Sequence, residues 1–258
     1  MRFFASVFAC FLLLAAFTAA RAGVIGGDKG ESYADPNYKE LVQTLVMMDG
    51  VDITDPLVAN DYAKLMFCDL WKANSKNDFD WQKIRQQIVS RVTQHKDYYR
   101  IQYQLGGTIF LNVYNFETQD FPFKPESALV RVGSMSLLDV TQIGEKEKGI
   151  KKLCGDTELS LSFPVNFTAQ MHQPLTFDRL KIPMDEAKQL LDKMAAVKNT
   201  DRRLYVRFRF RLQSLINKIG PPPVNLRRSR AMFVSELSQI DVFLDKDMTK
   251  FVTTVYIR

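Results

Sequence analysis

Histidine and cysteine are scarce, with two and three in 258 residues, and this leaves little material for metal or thiol chemistry. Neither His95 nor His172 opens a His-Glu-x-x-His zinc motif, and no Cys-x-x-Cys occurs, so no metal site and no cofactor are expected. A Gly-x-Ser-x-Gly elbow and a Walker phosphate loop are missing, and no Ser-x-x-Lys is backed by partner motifs. The acids are spread through the chain, so any carboxylate pair for glycoside hydrolysis would have to be assembled by the fold. Long apolar runs are equally rare. The one present spans Phe3 to Ala20.

That run follows Arg2 and leads into Ala20-Arg21-Ala22, a small-x-small site of the kind signal peptidase cuts. Residues 1–22 therefore read as a signal peptide, and a periplasmic or secreted location is expected. No membrane span is expected after cleavage. About 236 residues remain, enough for a substantial core. Two of the 35 basic residues lie in the signal, leaving 33 against 29 acids, a mild excess that selects no partner. Cys68 and Cys154 are the cysteines that survive cleavage. In an oxidising compartment they suit a disulfide closing a long loop, and two buried thiols fit the composition equally well.

The mature chain opens with a flexible segment, 23–34, containing Gly26-Gly27. Asp35-Pro36 and Asp55-Pro56 pair a capping carboxylate with a proline suited to a first helical turn. Tyr38, Leu41, Val42, Leu45 and Met48 form a stripe that should end near Gly50, and a second helix should run to about Asn74. Trp81, Ile84, Ile88 and Val92 place a third from Asn77-Asp78 to about His95, with Asp78 and Asp80 serving its start. Residues 35–97 are thus helical. From Tyr98 the period changes to two, and 98–258 reads as β-rich, interrupted by a helix over 183–197. The two regions are expected to share one core.

Within the β-rich region, Gly106-Gly107 between alternating segments predicts a hairpin turn. A strand covers Leu129 to Val140. A charged loop follows at Gly144–Lys152, then a period-two run from Leu159 to Thr168 in which Pro164 marks an edge or a bulge. Further strands fit Leu204–Leu215, Phe233–Leu244 and Phe251–Ile257. The fold class is α+β, with N-terminal helices followed by a mostly antiparallel sheet carrying one inserted helix. Asn166-Phe167-Thr168 matches a glycosylation acceptor pattern, incidental in a bacterium.

Asp61-Tyr62-Ala63-Lys64 followed by Cys68-Asp69-Leu70, together with Tyr205-Val206-Arg207-Phe208-Arg209-Phe210, resembles an exported bacterial protein family of unknown function. The resemblance implies a periplasmic or secreted protein and supplies no site residues.

The stretch with most physical content is the strand in which Arg207, Arg209 and Arg211 alternate with Val206, Phe208, Phe210 and Leu212. The arginines stand in a row about 7 Å apart. From Lys198 to Arg230 the sequence carries ten basic residues against Asp201 alone. Such a row suits an anionic envelope component or an acidic protein, whereas nucleic acid is disfavoured by export. The competing account has the arginines paired across strands with Glu236 or Asp241. The sequence accordingly reads as an exported, non-enzymatic binding protein of the bacterial envelope. A hydrolase with acids distant in sequence is the alternative, and a Cys154–His172 nucleophile and base would be one form of it.

Overall fold

The computed structural model describes residues 32–94, 99–139, 154, 162–221 and 229–257. Residues 1–22, expected as a signal peptide, lie outside them, as do His95, residues 144–152, Arg227-Arg228 and residues 159–161 of the period-two run.

Helix α1 (Tyr38–Met47) starts two residues later than the Asp35-Pro36 pair suggests. Asn37 is its cap, with Oδ1 accepting from the Glu40 amide at 2.9 Å. The expected second helix is two. Asp55 caps α2 (Pro56–Met66) by accepting from the amides of Leu57 and Val58, and the chain breaks at Phe67 before α3 (Cys68–Asn74). In α4 (Asp78–Gln94), Asn77 Oδ1 accepts from the Phe79 and Asp80 amides, so asparagine does the capping expected of Asp78. The inserted helix α5 (Met184–Ala196) buries Ala187, Leu190 and Met194.

The main sheet comprises β1 (Gln102–Phe110), β3 (Leu129–Asp139), β4 (Asn166–Phe177), β6 (Arg203–Leu215), β7 (Arg230–Phe243) and β8 (Phe251–Tyr256). Its order is β1-β6-β7-β4-β3, with β8 also on β7. All its pairings are antiparallel except β4 with β7. One edge of β7 is bonded along its length to β6. The other is divided, with Arg230–Ser235 against β4 and Gln239–Phe243 against β8. Strands β2 (Asp120–Pro122) and β5 (Arg179–Lys181) form a separate ribbon.

Gly106-Gly107 does not turn the chain. Both glycines lie mid-strand in β1, opposite Arg207 and Val206. At Gly107 the role is steric, since a Cβ would stand 3.1 Å from Phe208 and Val206 side chains, whereas one on Gly106 would meet only the end of Met248 at 3.4 Å, an ordinary contact. Pro164 also falls outside the strand, in bends that precede β4. The glycosylation triplet opens β4, where Asn166 pairs with Asp139 on one side and Arg230 on the other, so the acceptor pattern is not on a surface loop.

Buried side chains of α1, α2, α4 and α5 and of the sheet form one contiguous cluster. Strand β6 supplies Leu204, Val206, Phe208, Phe210 and Leu212 to it, as its alternation requires. Thr44 ties helix to sheet: its hydroxyl lies 2.8 Å from the Arg100 carbonyl and 3.0 Å from the Tyr103 phenol. Burial pushes the Tyr103 phenol well above its ordinary range. Cys68 and Cys154 are joined in a disulfide, their Cα atoms 4.9 Å apart.

Two stability measurements follow from this core. Phe210 is fully buried, so Phe210→Ala should lower unfolding free energy by about 3–5 kcal/mol in urea titration. Cys68→Ser should remove up to about 4.5 kcal/mol, the chain-entropy value for a bridge across 86 residues, and peptide mapping without reductant should recover the linked pair.

Candidate basic face and cleft

Outward residues of β6 face outward residues of its neighbours. Arg207 pairs with Asp241 and Gly106, Arg209 with Gln239 and Gln104, and Arg211 with Glu236 and Gln102. Asp241 is 4% exposed, and its two carboxylate oxygens have different partners, an ion pair at Oδ2 and hydrogen bonds at Oδ1. Oδ2 lies 2.7 Å from Arg209 Nη2, while Oδ1 accepts from Gln239 Nε2 and Thr254 Oγ1, each at 2.8 Å. A carboxylate this deeply buried needs such partners, since leaving either charge alone in that position would be costly.

The arginines are also held by rings. The guanidinium carbon of Arg203 stands 5.1 Å over Phe110, that of Arg207 5.0 Å over Phe243, and that of Arg209 5.2 Å over Tyr33. Tyr33 reaches across the face to bond its hydroxyl to Ser238 Oγ at 3.2 Å. Thus Arg209 is committed to Asp241 and Tyr33, and Arg211 is also partnered. Arg207 is half-buried, with its guanidinium carbon over the Phe243 ring. The row is therefore divided between structural pairing and an available surface.

The same face ends in an open cleft of about 330 Å³ at the start of β6. It is walled by the α5–β6 turn and the β7–β8 hairpin, and Lys198, Arg203, Lys246 and Lys250 line it with Asp201 and Asp245. Both acids are already occupied. Asp201 lies 3.6 Å from Arg203 Nη2, and Asp245 accepts from the Thr249 hydroxyl at 2.6 Å and the Lys250 amide at 2.6 Å. Among the described residues, Lys198, Lys246 and Lys250 have no ion-pair partner. The sequence showed the basic excess around Lys198, but Lys246 and Lys250 join it only because the β7–β8 hairpin returns to the same end of the sheet.

Other candidates come apart. Cys154 is bound to Cys68 rather than free, and His172 Nε2 is hydrogen-bonded to Gln213 Oε1 at 2.8 Å, so the pair makes no nucleophile and base. Among the described residues no group of three His, Cys, Asp or Glu could hold a metal ion. No described helix is long and apolar enough to cross a membrane. Near the disulfide, Asp61 accepts from Ser162 Oγ at 2.7 Å and lies 3.4 Å from Lys64 Nζ, whose ammonium also sits 4.9 Å over Trp71. These contacts fasten the segment entering β4 to α2.

The hydroxyl of Thr249, with amides of Thr249 and Lys250, holds the Asp245 carboxyl below its usual range. A carboxyl lowered by folding stabilises the fold above its unfolded value, and that contribution is lost as pH falls through the folded value. Acidification below about pH 4 should therefore loosen the hairpin, seen as faster amide exchange at Thr249 and Lys250, with no change between pH 6 and 8.

No protein of established description and no solved structure matches this chain. A family profile matches residues 55–193, more than half of the sequence, spanning α2 to α5 with both disulfide cysteines but stopping short of β6. The Tyr205–Phe210 patch lies beyond that match, whereas Asp61-Tyr62-Ala63-Lys64, seated against Ser162 and Trp71, lies within it. The chain belongs to the family described as Domain of unknown function (DUF4852).

Proposed function

We propose that this is an exported binding protein of the cell envelope that holds an anionic partner at the basic end of its outer sheet face. The observation that carries the reading is the cleft, which Lys198, Lys246, Lys250 and Arg203 line together with only two acids, Asp201 and Asp245, each bonded within the same lining. Charges gathered on a concave surface raise local anion concentration and favour phosphate or carboxylate groups. Arg207, its guanidinium carbon 5.0 Å over the Phe243 ring, extends that surface along β6 with a guanidinium suited to planar anions. Arg209 has another role, as the counter-ion of Asp241. The Cys68–Cys154 bridge supports an oxidising compartment, and the apolar leader supports export.

Lysine and arginine variants separate binding from folding. Lys198→Gln/Lys246→Gln/Lys250→Gln should fold with unfolding free energy within about 1 kcal/mol of wild type, because exposed charges contribute little. It should lose most co-sedimentation with phosphatidylglycerol vesicles and most retention on a polyanion resin. Wild-type retention should fall as salt rises from 0.1 M towards 1 M, where screening shortens from about 10 Å to about 3 Å. Adding Arg207→Gln should weaken retention further, while Arg209→Gln should mainly destabilise. A triple variant that binds as well as wild type would remove the proposal.

A further inference from the structure

The cleft end of the sheet carries exposed apolar side chains as well as bases. Three segments meet there, and each supplies one. Val113 follows β1, on a segment tied to the start of β6 by the Leu111 amide donating to the Arg202 carbonyl and by Arg202 Nη1 donating to the Asn112 carbonyl. Val197 closes α5 and lines the cleft itself. Phe251 opens β8 directly after Lys250, another lining residue. The three are 69%, 47% and 58% exposed.

Single exposed apolar residues are ordinary on a protein surface, so exposure alone selects nothing. Setting separates these three. Phe79 is more exposed, but it stands between Asp78 and Asp80 at the start of α4, where an anionic surface would be repelled. Residues 197–203 and 245–251 instead hold five bases and three acids, and Val197 and Phe251 each adjoin a cleft lysine, Lys198 and Lys250. The Phe251 ring is also held in place. It meets Phe243 edge to face at 6.0 Å, and Phe243 lies beneath Arg207 and opposite Tyr205, a residue of the cleft wall. Asp245 accepts from the Lys250 amide at 2.6 Å, which fixes the hairpin from which Phe251 emerges.

We infer that this end of the protein docks on an anionic lipid surface, with a phosphate headgroup among Lys198, Lys246 and Lys250 and with Val113, Val197 and Phe251 entering the boundary between headgroups and acyl chains. The inference rests on the anion-binding reading of the cleft and names its partner. A soluble polyanion would satisfy the lysines and leave the three apolar groups in water. A bilayer satisfies both, because interfacial binding combines buried apolar area with attraction to acidic headgroups. Lysine stems lie along apolar surface while their ammonium groups reach the polar layer, so the two sets of residues do not compete for depth. Each set is weak alone. Association at the surface depends on their acting together, and it is reversible.

The test sets vesicles of phosphatidylcholine, with and without phosphatidylglycerol, against a polyphosphate resin that has the charge but no acyl chains. Val113→Ser/Val197→Ser/Phe251→Ser should bind the phosphatidylglycerol vesicles about tenfold more weakly than wild type, since the apolar contribution is lost. Its retention on the resin should stay within about twofold, since its charge is unchanged. The three-lysine variant should lose both. Depth is read by fluorescence. Emission from Phe251→Trp should move to the blue on phosphatidylglycerol vesicles and be quenched by lipids brominated in their acyl chains, while soluble polyphosphate leaves it unmoved. Trp71 and Trp81 lie on α3 and α4, so wild-type spectra supply the background. The inference is overturned by a serine variant that binds vesicles as well as wild type, or by Phe251→Trp emission that is neither shifted nor quenched. In both cases lysine-dependent retention on the resin leaves the anion-binding reading standing. A wild type that binds resin but not vesicles overturns the inference alone, and one that binds neither overturns both. If the serine variant fails to fold by circular dichroism, Phe251→Trp decides.

Discussion

The Arg209–Asp241 pair binds the two long central strands at the point where the sheet is most exposed to conflict. A strand that alternates arginine with large apolar residues is driven into the core on one side and left with a column of like charges on the other. The carboxylate of Asp241, buried and bonded to Arg209, Gln239 and Thr254, cancels the middle of that column. Because Thr254 belongs to β8, the same carboxylate also joins a third strand to the arrangement. Tyr33 then covers Arg209 and reaches Ser238, so the entering chain is fastened to this centre as well.

The other arginines of β6 are held differently. Arg211 meets Glu236 and Gln102 across the neighbouring strands, while Arg203 and Arg207 lie on aromatic rings. Beyond Arg203 the α5–β6 turn and the β7–β8 hairpin bring three lysines to the cleft against two acids, Asp201 and Asp245. The cleft's basic character comes from the β7–β8 hairpin, which returns Lys246 and Lys250 to the end of the sheet where Lys198 and Arg203 stand. The family match ends within α5, so this basic end lies outside the part of the chain that the profile recognises.

Much of the fold was legible because periodicity reports burial directly. The stripe of Tyr38, Leu41, Val42 and Leu45 and the alternation of β6 both sit where their apolar residues require. Three details were not legible locally. Gly106-Gly107 carries a turn signal, yet the neighbouring Phe208 and Val206 need the missing Cβ, and only strand pairing reveals that need. The break at Phe67 has no proline or glycine to announce it. The cleft lysines Lys198, Lys246 and Lys250 come from separate turns, so their proximity depends on the hairpin's return. The alternation in β6 correctly placed its arginines outside but could not apportion them between Asp241 and solvent.

The most direct measurement of the binding account is a residue-resolved titration of the folded protein with a soluble anionic ligand such as a short-chain phosphatidylglycerol, followed by amide and side-chain shifts in nuclear magnetic resonance. The account predicts saturable, salt-sensitive changes at Lys198, Arg203, Lys246 and Lys250, extending to Arg207, with Arg209 and Asp241 still paired. Changes centred on another surface, or none at the cleft under conditions where the protein binds, would contradict it.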